Sequence, residues 1–112
     1  MKKFIVLYYA PISAEEQIAG ATPEKTKAGM EPWMNWAKKC GDSLLDMGGP
    51  LGNAQNIKKS GVSKSQSKAV GYSILQGDNM EKIVGLMKEH PHLMWNPECE
   101  IEIHEVLAMP GM

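Results

Sequence analysis

The chain has 112 residues, a formal net charge of −1 and 43% hydrophobic residues, which suits a single folded domain over residues 1–112 and excludes long disorder. All 12 basic residues are lysines, so the planar fork with which arginine binds phosphate and nucleobases is missing, and we expect neither nucleic acid nor nucleotide as a partner. No segment approaches the roughly 20 consecutive apolar residues that cross a bilayer, so we expect no membrane partner either.

The first predicted element is a strand at KKFIVLYYA, because β-branched and aromatic residues dominate it. Both alternating sets of its side chains are apolar, which is typical of a central strand. The two lysines before this run also resemble the start of a signal peptide, but the run is short and no small-residue cleavage motif follows it. Residues 12–29 contain Gly20, Pro23 and Gly29, and they predict a mobile loop with room for a helical turn around Ala14 to Ile18.

A first helix is predicted to begin at Met30, with Pro32 in its first turn. Its apolar side chains recur at steps of three and four residues: Trp33, Trp36, Ala37, Cys40 and Leu44. The sequence Gly48-Gly49-Pro50 is predicted to end this helix. An extended segment from Leu51 to Lys58 follows, and it is polar enough for the edge of a sheet.

The second half of the chain predicts a strand, a helix and a final strand. KAVGYSILQ alternates as a strand does, Asp78 or Asn79 can cap the next helix, and Pro91 ends that helix. In CEIEIHEVL the cysteine and the isoleucines share one face of a strand. The opposite face carries Glu100, Glu102 and His104.

The order of elements is therefore β-α-β-β-α-β, which predicts an α+β fold of the ferredoxin-like type. In this arrangement two helices cover one face of a four-stranded antiparallel sheet, and the other face is left bare. The bare face would expose one apolar set of the first strand, either Phe4, Val6 and Tyr8 or Ile5, Leu7 and Tyr9. An exposed apolar patch of that size is typical of an interface, so we expect a homodimer with two stacked sheets.

Several stretches resemble the YCII-related (YciI-like) family of the dimeric α/β-barrel superfamily. GYSILQGDNMEKIVGLMKEHPHL followed by EIEIHEVLAMPGM resembles the second half of such proteins, and MEPWMNWAKKCGDSLLDMGGPL resembles their first helix and the turn after it. The resemblance covers nearly the whole chain except Ile12 to Gly29, and it implies a homodimeric ferredoxin-like barrel with no agreed reaction. Some members have a proposed histidine–aspartate pair near the start of the first helix, but KAGMEPW contains no histidine, so that pair is not carried over.

The sequence EHPHL contains the histidine that we select as a catalytic candidate. The resemblance includes the proline and the second histidine, which favours His92 over His90. Because Pro91 cannot continue a helix, His92 is predicted to point toward the last strand, whereas His90 is predicted to be solvated on the final helical turn. His92 could bind a ligand or transfer a proton, or it could cap the helix beside Trp95, and both roles stay open.

Glu102 and His104 are the other catalytic candidates, because they lie two residues apart on one strand face. In a partly dry dimer cavity such a carboxylate–imidazole pair could move protons. A solvated strand face or an interfacial ion pair would use the same two residues without chemistry.

Aromatic side chains supply the ligand-binding candidates. Trp33 and Trp36 have the spacing of a helix face that packs on the sheet, and one of their large rings could line a pocket instead. Tyr72 lies between small neighbours that leave room for a ligand. The full set of ligand-binding candidates is Tyr72, Trp33, Trp36 and Trp95.

No metal site and no cofactor are expected, because two histidines interrupted by a proline do not match a known closed-site spacing. Cys40 and Cys99 lie far apart in unrelated contexts, so we expect free thiols and a reducing, cytoplasmic location. The function expected is that of a YCII-like protein that binds a small molecule in a homodimeric barrel, with cofactor-free acid–base catalysis as a candidate activity. The alternative is a non-catalytic binding or protein-interaction module.

Overall fold

The structure is a computed structural model that describes residues 1–111. It has an α+β fold in which a four-stranded antiparallel sheet has the strand order β2-β5-β1-β6, and β3 and β4 form a separate hairpin. The elements are β1 (Lys2–Tyr9), α1 (Ala14–Ala19), α2 (Pro23–Cys40), a 3-10 turn (Gly41–Ser43), β2 (Leu44–Pro50), β3 (Gln55–Lys58), β4 (Gly61–Lys64), β5 (Ala69–Gly77), α3 (Met80–Met87), α4 (His92–Trp95) and β6 (Glu100–Glu105). The predicted α+β class and the four-stranded antiparallel sheet are thus confirmed.

The core lies between one face of the sheet and the two longer helices. Phe4, Val6 and Tyr8 of β1 are buried on this face, together with Leu75 of β5. Helix α2 contributes Trp36 and Cys40 to the same cluster, and α3 contributes Ile83 and Met87. The helices therefore cover the even-numbered side chains of β1, which leaves the odd-numbered set on the opposite face.

The opposite face of the sheet, which we call the open face, has an apolar centre and an acidic side. Ile5 pairs with Ile74 of β5 and with His104 of β6, and Leu7 pairs with Tyr72 and with Glu102. Directly paired residues share a face of a sheet, so these side chains surround one another. Among the described residues, the helices that contribute to the core pack on the other face of the sheet.

Residues 12–29, predicted as a mobile loop with room for a helical turn around Ala14 to Ile18, are mostly helical. The helical turn is present as α1, whereas residues 23–29 belong to α2, so the loop prediction was wrong there. Ser13 Oγ accepts a hydrogen bond from the Glu16 N–H and begins α1, and Thr22 Oγ1 accepts from the Lys25 N–H and begins α2. Gly20 is the C-cap of α1, and Pro23 is the first residue of α2. The residues that indicated a loop therefore mark the boundary between two helices, as glycine and proline commonly do.

The helix predicted to begin at Met30, which is part of α2 in the structure, also ends earlier than predicted. It stops at Cys40, and Gly41 follows with a φ of 55°. Leu44–Pro50, which was predicted to continue and end the helix, forms the edge strand β2, whereas the predicted strand from Leu51 to Lys58 is extended only at Gln55–Lys58 in the hairpin. Leu44 fits the helical spacing but is the first residue of β2. The position of β2 is hard to recognise from the sequence, because it pairs with β5 through two register shifts that disturb the alternating pattern.

The predictions for the second half of the chain agree better with the structure. Asn79 caps α3, because its Oδ1 accepts a hydrogen bond from the Lys82 N–H. Helix α3 ends at Met87 rather than at Pro91, and a turn connects it to the short helix α4. Within residues 1–111, no helix is long and apolar enough to cross a membrane.

Candidate functional site

A cavity of about 350 Å³ lies beside the core, between the helices and one end of the sheet. Residues of α1, α2, β1, β2, β5 and α4 contribute to its walls. Most of them are apolar or small, and none of the lining residues is a lysine, an aspartate or a glutamate: Tyr8, Ala14, Gln17, Ile18, Met30, Trp33, Met47, Gly48, Gly49, Pro50, Val70, Gly71, Tyr72 and His92. The cavity is therefore suited to an apolar ligand.

Glycines keep β2 and β5 close together at the cavity. Gly48 has a φ of 77°, and a Cβ atom at this position would overlap the main-chain oxygen of Tyr72. A Cβ atom on Gly71 would lie 3.3 Å from Cδ2 of Tyr8. Glycine is needed at position 48 for its left-handed conformation and for the close approach of the two backbones.

Tyr8 forms one wall of the cavity, and its hydroxyl group is already engaged. Tyr8 Oη lies 2.7 Å from Ser73 Oγ, and Ser73 Oγ donates to the main-chain oxygen of Met47 at 2.8 Å. Because a carbonyl oxygen only accepts, the serine proton is used there, and Tyr8 must donate to Ser73. Burial raises the pKa of Tyr8 to about 12, which outweighs the opposite effect of the Ser73 hydrogen bond. Tyr8 is thus a neutral phenol whose only hydroxyl proton is already used in the hydrogen bond to Ser73.

His92 lies in the cavity wall with 7% of its surface exposed. Its Nε2 lies 2.9 Å from the main-chain oxygen of Tyr9, so Nε2 carries the hydrogen and donates it. In the neutral imidazole, Nδ1 then has a free lone pair. The ring packs edge-on against Tyr8 at 5.3 Å and is stacked with Trp95 at 6.5 Å between centroids. His92 therefore has one acceptor atom without a partner among the described residues, in a wall that is mostly apolar.

His90 is completely buried, with 0% exposure, so the prediction that it is solvated was wrong. Its ring lies among the rings of Trp33, Trp36 and Tyr8, at centroid distances of 4.3, 4.4 and 4.8 Å. Because α3 already ends at Met87, the following turn folds His90 under α2 instead of leaving it on a helix surface. Pro91 therefore marks this turn and not the end of the helix.

The two histidines are joined by a hydrogen bond from the main chain of His92 to the side chain of His90. The N–H of His92 donates to Nδ1 of His90 at 2.9 Å, and Nε2 of His90 has no hydrogen-bond partner among the described residues. Burial lowers the pKa of His90 to about 3, and the neighbouring His92 acts in the same direction. A neutral His90 with its hydrogen on Nε2 fits both observations, since the surrounding aromatic faces are weak acceptors for such an N–H group.

The structure brings together only some of the aromatic candidates. Trp33 lines the cavity with His92, and Tyr72 also borders it, but the Tyr72 side chain shares the open face with Leu7. Trp36 is buried in the core, where its Nε1 donates to the main-chain oxygen of Leu86 at 3.0 Å. Trp95 is exposed and stacks on His92 without lining the cavity. The stripe of tryptophans is thus divided between the core and the cavity.

Glu102 and His104 lie on the open face, on the other side of the sheet from His92. His104 Nε2 is 2.6 Å from Glu102 Oε1, and the hydroxyl group of Tyr9 donates to the same oxygen at 3.0 Å. The hydrogen bonds from His104 and then Tyr9 lower the pKa of Glu102. The sheet therefore separates His92, on one face, from Glu102 and His104, on the other. Tyr9 contacts both groups, because its carbonyl oxygen accepts a hydrogen bond from His92 and its hydroxyl group donates to Glu102.

Comparison with known proteins does not identify a function for the chain. No family model and no curated protein matches the chain. The resemblance to the YCII-related family therefore rests on the motifs in the sequence. In the part of the chain that the structure describes, no group of three or more histidine, cysteine, aspartate or glutamate residues is arranged to hold a metal ion.

Sequence reasoning missed the cavity residues from α1, from the first half of α2 and from β2. Ile18 was predicted in a mobile loop with room for a helical turn, and Met30 was predicted at the start of a helix. Met47 was predicted in the part of that helix where the structure has β2. The caps at Ser13 and Thr22 were the available signal for the helices, because each is a hydroxyl residue before a helix-compatible stretch. No comparable signal indicated the position of β2.

Proposed function

We propose that the chain is a small-molecule-binding protein whose ligand occupies the cavity beside His92. The observation that carries the proposal is the combination of an apolar wall with one unengaged imidazole nitrogen. The volume of about 350 Å³ falls at the lower end of the roughly 300–1,000 Å³ typical of ligand sites, so the ligand is small. Met30, Trp33 and Val70 supply apolar contact, and His92 supplies orientation.

Cofactor-free acid–base catalysis is the activity that we propose for this site. An imidazole in a largely apolar cavity can accept a proton from a bound molecule, which is the commonest role of a catalytic histidine. The hydrogen bond from Nε2 to the Tyr9 carbonyl would then stabilise the imidazolium that forms. Glu102 and His104 belong to the open face, so in this proposal they act at the subunit interface.

The proposed architecture is a ferredoxin-like domain of the YCII type that pairs as a dimeric barrel. The strand order β2-β5-β1-β6 supports it, because a ferredoxin-like sheet places its first and third main strands at the centre. The two helices that contribute to the core pack on the same face of the sheet, which also supports it. In this architecture the β3–β4 hairpin is an insertion between the second and third main strands.

The occupant that we propose for the open face is a second copy of the chain. Ile5, Leu7 and Ile74 form its apolar centre, and charged groups of opposite sign lie at its two ends. Lys3 is at one end of β1, whereas Glu100 pairs with Tyr9 at the other end. A two-fold axis between stacked sheets can reverse the strand direction, and it then places the lysine end of one sheet over the glutamate end of the other.

A non-catalytic interaction module is the second candidate, and the hairpin is the observation that favours it. Ile57 of β3 pairs with Val62 of β4, and the two side chains are 77% and 62% exposed. An isolated hairpin is marginally stable in water, so an apolar pair on such a hairpin is suited to contact with another protein. For either candidate we propose a reducing, cytoplasmic location, which the free thiols of Cys40 and Cys99 support.

A ligand screen by thermal shift tests the proposed binding site. A molecule that binds only the native state at 100 times its Kd stabilises the protein by about 2.7 kcal/mol, which raises the melting temperature measurably. Met30→Gln should weaken the binding of each hit, because it places an amide in the apolar wall. Met34→Gln is the matched control, since Met34 lies one turn further along α2, has similar exposure (48% against 44%) and does not line the cavity. Equal effects of the two substitutions would contradict the cavity as the binding site.

A further inference from the structure

We propose that the cavity selects an uncharged, largely apolar aromatic molecule that carries one hydrogen-bond donor, and that this donor binds Nδ1 of His92. The inference rests on the proposed function, because it names the class of ligand for the same cavity. Four features of the wall support it: its free acceptor, its fixed imidazole, its lack of charge and its apolar surface.

The first feature is the free acceptor. The Tyr8 hydroxyl donates its only proton to Ser73, and one N–H of the exposed Gln17 amide donates to the main-chain oxygen of Ile12, which leaves the second N–H and Oε1 of Gln17 without a partner among the described residues. Nε2 of His92 is occupied by the Tyr9 carbonyl, whereas no hydrogen bond of the described residues uses Nδ1. His92 is more than nine-tenths buried as a residue, but its Nδ1 is not among the fully buried polar atoms that lack a partner, so this atom stays accessible to a donor.

The second feature is the fixed orientation of the imidazole. The His92 main-chain N–H is held by Nδ1 of His90, and the ring is held at Nε2 by Tyr9. Trp95 stacks on the ring from outside the cavity. His90 is therefore a positioning residue, which acts through His92 and does not itself line the cavity. A fixed acceptor discriminates between ligands better than a mobile one, because no ordering cost is incurred on binding.

The third feature is the absence of charged lining residues. No lysine lines the cavity to compensate a bound carboxylate or phosphate, and no aspartate or glutamate lines it to compensate an ammonium group. An isolated charge in such an environment would lose its hydration without gaining a partner. A charged ligand is consequently disfavoured relative to a neutral one of the same shape.

The fourth feature is the apolar surface that remains for the rest of the ligand. Trp33 presents an indole ring, and Met30 and Met47 present thioethers. Methionine sulfur makes favourable contacts with aromatic rings, and methionine side chains adapt to irregular shapes. An aromatic ring with one hydroxyl or N–H group fits this surface better than a sugar or an amino acid, which would bring several polar groups to an apolar wall.

Pairs of molecules that differ only in the donor provide the test. Calorimetric titration would compare p-cresol with p-xylene and indole with benzofuran, with benzoate as the charged probe. In the wild-type protein, p-cresol and indole should bind about tenfold more tightly than their partners, which is the effect of one hydrogen bond in a largely apolar site. Benzoate should bind more weakly than p-cresol.

Two variants and one spectroscopic measurement complete the test. His92→Phe keeps a ring but removes the acceptor, so it should abolish the preference within each pair, and His104→Phe on the open face should retain it. Nitrogen-15 spectra of the histidine rings in the wild-type protein give a result even if His92→Phe does not fold. In these spectra p-cresol should shift the Nδ1 signal of one histidine, and p-xylene should leave that signal unchanged.

The outcomes separate this inference from the proposed function. Equal affinity within both pairs, tighter binding of benzoate, or an unchanged Nδ1 signal would overturn the choice of ligand class while apolar binding itself stood. Failure of all four neutral molecules to bind would overturn both the ligand class and the proposed site.

Discussion

Replacing the buried His90 with alanine is expected to destabilise the protein severely. The substitution removes a fully buried ring from between Trp33, Trp36 and Tyr8, and cavities of this kind cost about 2–5 kcal/mol. It also leaves the His92 N–H without its acceptor, which adds about 1–3 kcal/mol. Because the two effects overlap, we expect a loss of about 3–5 kcal/mol, a large fraction of the total stability of a domain.

Two further variants at this position separate volume from hydrogen bonding. His90→Leu fills most of the space without an acceptor, and His90→Asn supplies an acceptor with less volume. Urea unfolding followed by circular dichroism gives the free energy of unfolding of each variant, with His104→Ala as the exposed control, for which a change within about 0.5 kcal/mol is expected. A loss below about 1 kcal/mol in His90→Ala would refute the buried position of this ring.

The same residue predicts a dependence of stability on pH. The pKa of His90 is lowered to about 3 in the folded chain by burial, whereas the unfolded chain binds a proton near the ordinary value of about 6.5. Between these values the unfolded state binds more protons, so stability falls as pH decreases from about 6.5 toward 3, by up to about 1.4 kcal/mol per pH unit. In His90→Asn this contribution is absent, and the slope of unfolding free energy against pH should be smaller. Parallel slopes in the two proteins would contradict a neutral, buried histidine.

Three other predictions concern the assembly, the thiols and the backbone. Sedimentation at micromolar concentration should give about twice the 12.3 kDa mass of one chain, and a clean monomer would exclude the proposed barrel. Titration of Cys40 and Cys99 after unfolding without reductant should find two free thiols, while in the folded protein Cys40 should react slowly because burial raises its pKa to about 11. Gly48→Ala should destabilise the protein by more than 1 kcal/mol, whereas Gly49→Ala should be nearly neutral, since its Cβ would meet no atom within 4 Å; equal melting temperatures would contradict the close approach at Gly48.

The sequence by itself determined the elements whose signals are local. β-branched and aromatic residues predicted β1, alternation of apolar side chains predicted β5 and β6, and the capping residues Asp78 or Asn79 predicted where α3 begins. The same alternation predicted that one apolar set of β1 would remain outside the core. Period-two patterning and caps act over a few residues, so they can be recognised without the fold. The caps of α1 and α2 were equally local, but Gly20 and Pro23 between them favoured a loop in the prediction.

Only the tertiary structure decided which face of β1 is inside, where the edge strand lies and which histidine is buried. Each of these depends on contacts between residues far apart in the chain. His92 donates to Tyr9, 83 residues away, and His90 is enclosed by rings from β1 and α2. The burial of His90 follows from the turn after α3, which brings its ring beneath α2. A histidine is polar enough to predict exposure, and only the packing of three aromatic rings around it makes its buried, neutral form stable.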